Sequence, residues 1–172
     1  SGKGKTTFTH ILAGIRNDYK GNVFFNDESI KNYNHEKWSE IKSKQVSYVF
    51  QDLQIFPNLS VEENLKIKND LTKFKTEKEI KNFVEQLELM DKYQTKMGLL
   101  SYGQQQRIAI IRALLQPFDW LILDEPFSHL DDGNTSLCLE MINSEISKQG
   151  AGYILTTLGS NHGQEFDLTL KL

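Results

Sequence analysis

An α/β fold with a mostly parallel sheet is what this sequence predicts. Apolar runs and helical patterns alternate along its 172 residues, the pattern of strands joined by crossover helices. Two of the runs, WLILDEP at 120–126 and GYILTTL at 152–158, have the length and apolar character of buried strands. Hydrophobic residues at 38% and charged residues at 25% suit one globular domain with a sizeable core.

In chain order, TTFTHILAGI at 6–15 reads as a short helix following a glycine-rich loop. GNVFFND at 21–27 alternates as a strand ending in a polar turn. HEKWSEIKSK at 35–44 is either a polar turn or a short helix, and QVSYVF at 45–50 is a strand. Residues 61–92 form a charged, amphipathic, helix-rich stretch, with Leu65, Phe74, Ile80, Phe83, Val84 and Leu87 expected on its buried side. Its alternating Lys and Glu read as a solvated face. After LLSYGQ, the segment QQQRIAIIRALLQ at 104–116 is helical and is stopped by Pro117. WLILDEP then brings two carboxylates to the C-terminal end of its strand. Residues 135–147 are helical, GYILTTL is a strand, and FDLTLKL at 166–172 alternates as a last strand.

A net charge of −3 offers no basic excess for a nucleic acid, and none is expected as a partner. The four histidines and Cys138 are scattered without metal-ligand spacing. Cys138, within LCLEMI, reads as a buried thiol and fits a reducing compartment. No apolar run approaches the roughly 20 residues of a membrane-spanning helix, and no basic-then-apolar leader opens the chain. The expectation is a soluble intracellular domain whose membrane role, if any, runs through a partner.

The chemistry starts at residues 1–7, SGKGKTT. Gly4-Lys5-Thr6 match the end of the phosphate-loop pattern G-x-x-x-x-G-K-[ST], whose first glycine would fall two positions before Ser1. Gly2 and Gly4 let backbone N–H groups turn inward around phosphate oxygens. Lys5 reaches the outer phosphates, the Thr6 hydroxyl can ligate Mg²⁺, and the following helix points its N-terminus at the anion. At the far end of the chain, LILDEP places Asp124 to hold Mg²⁺ through water and Glu125 to polarise a water attacking the γ-phosphate.

A third motif carries a family resemblance. LLSYGQQQRIAIIRALLQ resembles the LSGGQ signature of ATP-binding-cassette (ABC) ATPases, with Tyr102 where the first glycine usually stands. LILDEPFSHLD resembles the Walker B motif and D-loop of that family, and VFQDLQIFPNLSVEENL resembles its Q-loop, with Gln51 as the glutamine. The resemblance covers the whole chain. It implies the P-loop NTPase three-layer fold with an ABC-type helical subdomain at about 52–115, in a single ABC ATPase domain over 1–172. The strand and adenine-stacking aromatic that precede such a loop are missing, so an N-terminal truncation inside Walker A is expected.

The resemblance also implies roles. Ser1, Gly2, Lys3, Gly4, Lys5, Thr6 and Thr7 would bind ATP phosphates, and Thr6, Gln51 and Asp124 would serve Mg²⁺. Gln51 would also couple the site to a transmembrane permease subunit. Ser101, Gly103 and Gln104 would complete the site of a second ABC domain in a head-to-tail homo- or heterodimer, and Asp131 would touch that protomer. A Tyr102 ring pointing inward would crowd this sandwich; one pointing away would not. Thr157 stands where the family usually places a switch histidine, and a threonine hydroxyl has no cationic form. Hydrolysis catalysed by Glu125, Gln51 and Thr157 is therefore expected to be slow. His162, five residues on, is most simply a loop histidine, His129 an interfacial one, and His10 and His35 helix and surface residues.

The implied function is the ATPase subunit of an ABC transporter, cytoplasmic and peripheral at the inner face of the membrane. Two alternatives carry the same motifs: a soluble ABC ATPase acting on ribosomes or DNA, and a degenerate ATP-binding half with a regulatory role.

Overall fold

The computed structural model describes residues 4–158 and 161–170. Its elements run α1 (Lys5–Leu12), β1 (Phe24–Phe25), β2 (Glu28–Ser29), α2 (His35–Lys44), β3 (Val46–Val49), α3 (Val61–Asp70), α4 (Glu77–Gln86), α5 (Tyr102–Ala113), β4 (Trp120–Asp124), α6 (Asp132–Gln149) and β5 (Gly152–Thr156). The strands β3, β4 and β5 form a parallel sheet in that order. Its register sets Val49 against Leu123 and Asp124 against Thr156.

Successive side chains of a strand point to opposite faces, and β4 shows what that does. Leu121 and Leu123 join one core with Ile108 and Ile111 of α5 and Cys138 and Ile142 of α6. Ile122, between them, joins a second core with Ala13, which follows α1, Ile41 of α2 and Val46 of β3. Helices cover both faces of the sheet, which gives the three-layer α/β arrangement that the sequence predicts. Burial pushes the Cys138 thiol up to about 12, so it packs as an inert apolar group.

The polar stretch at 35–44 is helical, capped by Asn34, whose side chain accepts from Lys37 N. The stretch at 61–92 divides into two helices because Ser60 and Thr76 each start one. Each hydroxyl accepts from the backbone three residues on, and Glu63 and Glu79 reach back in reciprocal capping boxes. Leu65, Ile80, Phe83, Val84 and Leu87 are buried there as expected.

Four expectations are corrected. The strand at 21–27 is instead a hairpin with two-residue arms. Asn26 and Asp27 take φ of 49° and 64°, and that left-handed pair reverses the chain tightly. Phe74 is 37% exposed, lying in the α3–α4 connection with the Lys75 ammonium 4.7 Å from its ring centroid. The tail forms no strand among its described residues, 166–170. Phe166 instead lays its ring against Tyr153 at 5.5 Å. Finally, β5 ends at Thr156, so Thr157 lies beyond the sheet.

The α3–α4 connection is tied to α6 by an ion pair whose side chains are both nearly buried. Lys75 Nζ lies 2.6 Å from Glu145 Oε2, with their side chains 8% and 1% exposed. Removing Glu145 leaves the buried Lys75 ammonium with only its longer contact to the half-exposed Glu79, at 3.8 Å. Glu145→Ala should therefore cost about 3–5 kcal/mol in urea denaturation, whereas Lys148→Ala, at the exposed end of the same cluster, should stay within about 1 kcal/mol.

Candidate functional site

Asp124 closes β4 with its side chain fully buried, and a buried carboxylate needs partners. The Thr156 hydroxyl donates to Asp124 Oδ1 at 2.6 Å. The Thr9 hydroxyl lies 3.3 Å from Asp124 Oδ2. The Tyr48 hydroxyl is 3.2 Å from the same oxygen and 2.7 Å from Thr9 Oγ1. These hydroxyls come from β5, α1 and β3, one from each element that surrounds the end of β4. Burial raises the pKa of Tyr48, which keeps its proton for this network.

Glu125 follows with φ of 49°, a left-handed conformation that turns the chain sharply out of the sheet. Its backbone N–H is held by Thr156, 3.2 Å from the carbonyl and 3.3 Å from the hydroxyl. Its carboxylate pairs with Lys5 Nζ at 3.8 Å, both side chains less than a fifth exposed. Gly4 caps α1 at φ 86°, in the left-handed region that favours glycine, and Thr7 lies in the helix's first turn. The Thr6 hydroxyl lies 3.4 Å from Gln51 Oε1. Two hard oxygens with a buried carboxylate nearby fit Mg²⁺, which takes one or two protein ligands and fills its shell with phosphate oxygens and water. Ser1, Gly2 and Lys3 lie outside the described residues.

The fold therefore brings together Lys5, Thr6, Gln51, Asp124 and Glu125. Ser101, Gly103 and Gln104 stand apart from them at the start of α5. Ser101 Oγ accepts from Gln104 N at 3.3 Å while Gln104 Oε1 accepts from Ser101 N at 2.9 Å, a capping box. A Cβ on Gly103 would fall 2.9 Å from the His129 carbonyl, so only glycine fits this approach. Asp131 caps α6, accepting from Asn134 N at 2.8 Å; that backbone bond is the main reason its pKa is lowered. Thr157 makes none of the bonds that hold Asp124 and Glu125. It lines a cavity of about 310 Å³ together with Glu125, Ser128 and His162, where the His162 ring stands edge-on to Phe127 at 5.1 Å.

Several contributors were not singled out from the sequence. Thr9, Tyr48 and Thr156 hold Asp124, as above. Buried Gln106 donates to the Glu125 carbonyl at 3.2 Å and accepts from His129 N at 3.3 Å. Arg112 donates to the Leu53 and Gln54 carbonyls at 2.7 and 2.6 Å, fixing a pair of left-handed residues just after Gln51. A polar residue inside an apolar strand, as at Tyr48, or on the buried side of a helix, as at Gln106, was the available signal.

Lys5 and Thr6 at the N-terminus of α1, near Glu125 and Asp124 at the end of β4, have the arrangement of a P-loop nucleotide site. The family model described as ABC transporter matches residues 1–128, and the chain belongs to that family. Among its relatives, an Fe(3+) ions import ATP-binding protein, FbpC of Fusobacterium nucleatum, is 37% identical over 96% of this chain and 43% of its own length. The lipoprotein-releasing system ATP-binding protein LolD of Buchnera aphidicola is 29% identical over 91% of this chain and 70% of its own length. The solved dimeric structure of MJ0796, a bacterial ABC transporter cassette, superposes with a TM-score of 0.77 at 23% identity, covering 89% of this chain and 69% of that one. That likeness speaks to the fold, which is the ABC cassette form of the P-loop α/β architecture.

Thr156→Val removes the shortest bond to Asp124 and leaves the buried carboxylate short of a donor. It should cost about 1–3 kcal/mol of folding stability, against under about 1 kcal/mol for Thr157→Val, both read by urea denaturation.

Proposed function

We propose that this chain is the ATP-hydrolysing subunit of an ABC transporter, working Mg²⁺-dependently through Lys5, Thr6, Gln51, Asp124 and Glu125. The observation that carries the reading is the convergence of those five side chains from α1 and from the ends of β3 and β4. Lys5, now 3.8 Å from Glu125, is placed to move onto the outer phosphates of ATP, which would free the carboxylate to orient and deprotonate a water. The Thr6 hydroxyl and Gln51 Oε1 would hold Mg²⁺ with Asp124 behind them, and the ion supplies positive charge against the phosphate oxygens when bound. Gly4 and Thr7 would add contacts to the phosphates, with Ser1, Gly2 and Lys3 completing the loop.

Among the described residues no helix is long and apolar enough to cross a membrane. The reading therefore assigns the membrane-spanning part to a permease partner and places this chain at the inner face of the membrane. Phe56 and Leu99, 48% and 77% exposed, sit on segments joined by the bond from Gly98 N to the Pro57 carbonyl, and support docking of such a partner there. Ser101, Gly103, Gln104 and Asp131 would meet a second cassette head to tail, homomeric or heteromeric. Thr157 supplies one hydroxyl and no cation to the cavity it shares with Glu125, which favours slow turnover.

In a Mg·ATP hydrolysis assay of the full-length protein, Glu125→Gln should lower kcat by about 10²- to 10⁴-fold while ATP binding is retained. Tight ATP binding without turnover in either protein would refute the hydrolytic reading and leave a binding-only, regulatory half.

A further inference from the structure

We propose that Tyr102 is a positioning residue that latches the Gln51 segment to the start of α5 and to the loop that carries Glu125. The inference rests on the hydrolytic reading of Gln51 and Glu125. Tyr102 is the first residue of α5 and is 42% exposed, yet its side chain is not spent on solvent. Its hydroxyl donates to the Gln51 carbonyl at 2.9 Å, across 51 positions of sequence. Its ring lies on the His129 imidazole with centroids 4.3 Å apart and planes tilted by 59°.

Each contact leads onward to the candidate site. Gln51 is held at both ends, by Tyr102 at its carbonyl and by the Thr6 hydroxyl 3.4 Å from Oε1. His129 is fixed by its own N–H to Gln106 Oε1, by its ring nitrogen 2.9 Å from Ser128 Oγ, and by the close approach of Gly103 to its carbonyl. Gln106 in turn donates to the Glu125 carbonyl. One phenol thus joins the segment that offers an oxygen beside Thr6 to the segment that presents the general base.

The far end of the same helix supports the segment too. Arg112 grips the Leu53 and Gln54 carbonyls, and both those residues take left-handed φ, 60° and 48°. Residues 51–54 are therefore clamped by α5 at its first residue and again near its last turn. A glycine at 102 would release the Gln51 carbonyl and leave the segment to the Arg112 clamp, the turn bond from Leu53 N to the Phe50 carbonyl and the longer Thr6 contact. The ring's direction also settles its orientation within the chain: it is turned onto His129 and Gln51.

The test uses Tyr102→Phe and Tyr102→Ala in the full-length protein. Tyr102→Phe keeps the ring contact and loses only the bond to Gln51, and a net hydrogen bond corresponds to roughly a five-fold change in rate. We expect kcat for Mg·ATP hydrolysis to fall about five-fold in Tyr102→Phe and roughly 30-fold in Tyr102→Ala, which also loses the aromatic contact. The dissociation constant for Mg·ATP should stay within about two-fold of the parent in Tyr102→Phe, because the phosphate loop is untouched. Amide exchange at residues 51–54 should quicken in both variants. Unchanged exchange there overturns the latch, and so does an unchanged kcat in Tyr102→Phe when Glu125→Gln still removes turnover. If the parent protein shows no turnover, the hydrolytic reading falls separately, and exchange at 51–54 alone decides whether Tyr102 holds the segment.

Discussion

A single buried charge organises this molecule. Asp124 has no exposed surface, and an unpaired carboxylate there would cost several kcal/mol. The fold answers with hydroxyls from Thr9, Tyr48 and Thr156, so α1, β3 and β5 must all be in place around the end of β4. The parallel register that sets Asp124 beside Thr156 is thus part of the site as much as of the sheet. A slip of one residue would turn Asp124 to the other face and leave these hydroxyls without it. Packing does the rest: Leu121 and Leu123 hold β4 to one layer of helices and Ile122 to the other.

From that fixed point the reactive groups fan outward. Glu125 leaves the sheet in a left-handed turn, which places its carboxylate at the N-terminus of α1 and beside Lys5. The site is therefore held by several bonds behind and by a single ion pair in front. Asp124 cannot move without unmaking a buried network. Lys5 and Glu125 are joined by a single contact of 3.8 Å. That difference would suit the proposed hydrolytic reading, in which Asp124 stays put and Lys5 follows its ligand.

The helix α5 connects this site to the rest of the chain. Its inner face is buried against the helical lobe and the sheet through Ile108, Ile110 and Ile111. Its polar side chains are directed to backbone carbonyls of other segments: Gln106 to Glu125, Arg107 to Leu87 and Arg112 to Leu53 and Gln54. Hydrogen bonds to main chain fix where a segment runs while leaving its side chains free for chemistry. One helix therefore makes main-chain hydrogen bonds to both motif-bearing loops.

The sequence by itself determined the layered α/β fold, the family, and the order of the motifs, because period and local residue type carry those. Strand against helix is written in the apolar pattern of WLIL and YIL; the helix starts at Ser60, Thr76 and Ser101 rest on caps three residues long, a local signal that reading 61–92 as one stretch left unused. It singled out Lys5, Thr6, Gln51, Asp124 and Glu125, whose segments the fold brings into contact, from the residue types that phosphate chemistry calls for after a glycine loop or at a strand end. Where only distant packing decides, it fell short. GNVFFND alternates like a strand, but Asn26 and Asp27 fold it into a hairpin, and FDLTLKL alternates yet forms no strand among its described residues. Tertiary structure alone set Thr156, Tyr48 and Thr9 beside Asp124, and turned Tyr102 onto Gln51 and His129. Those choices depend on registers and approaches between segments tens of residues apart, and no local pattern in a single sequence encodes them.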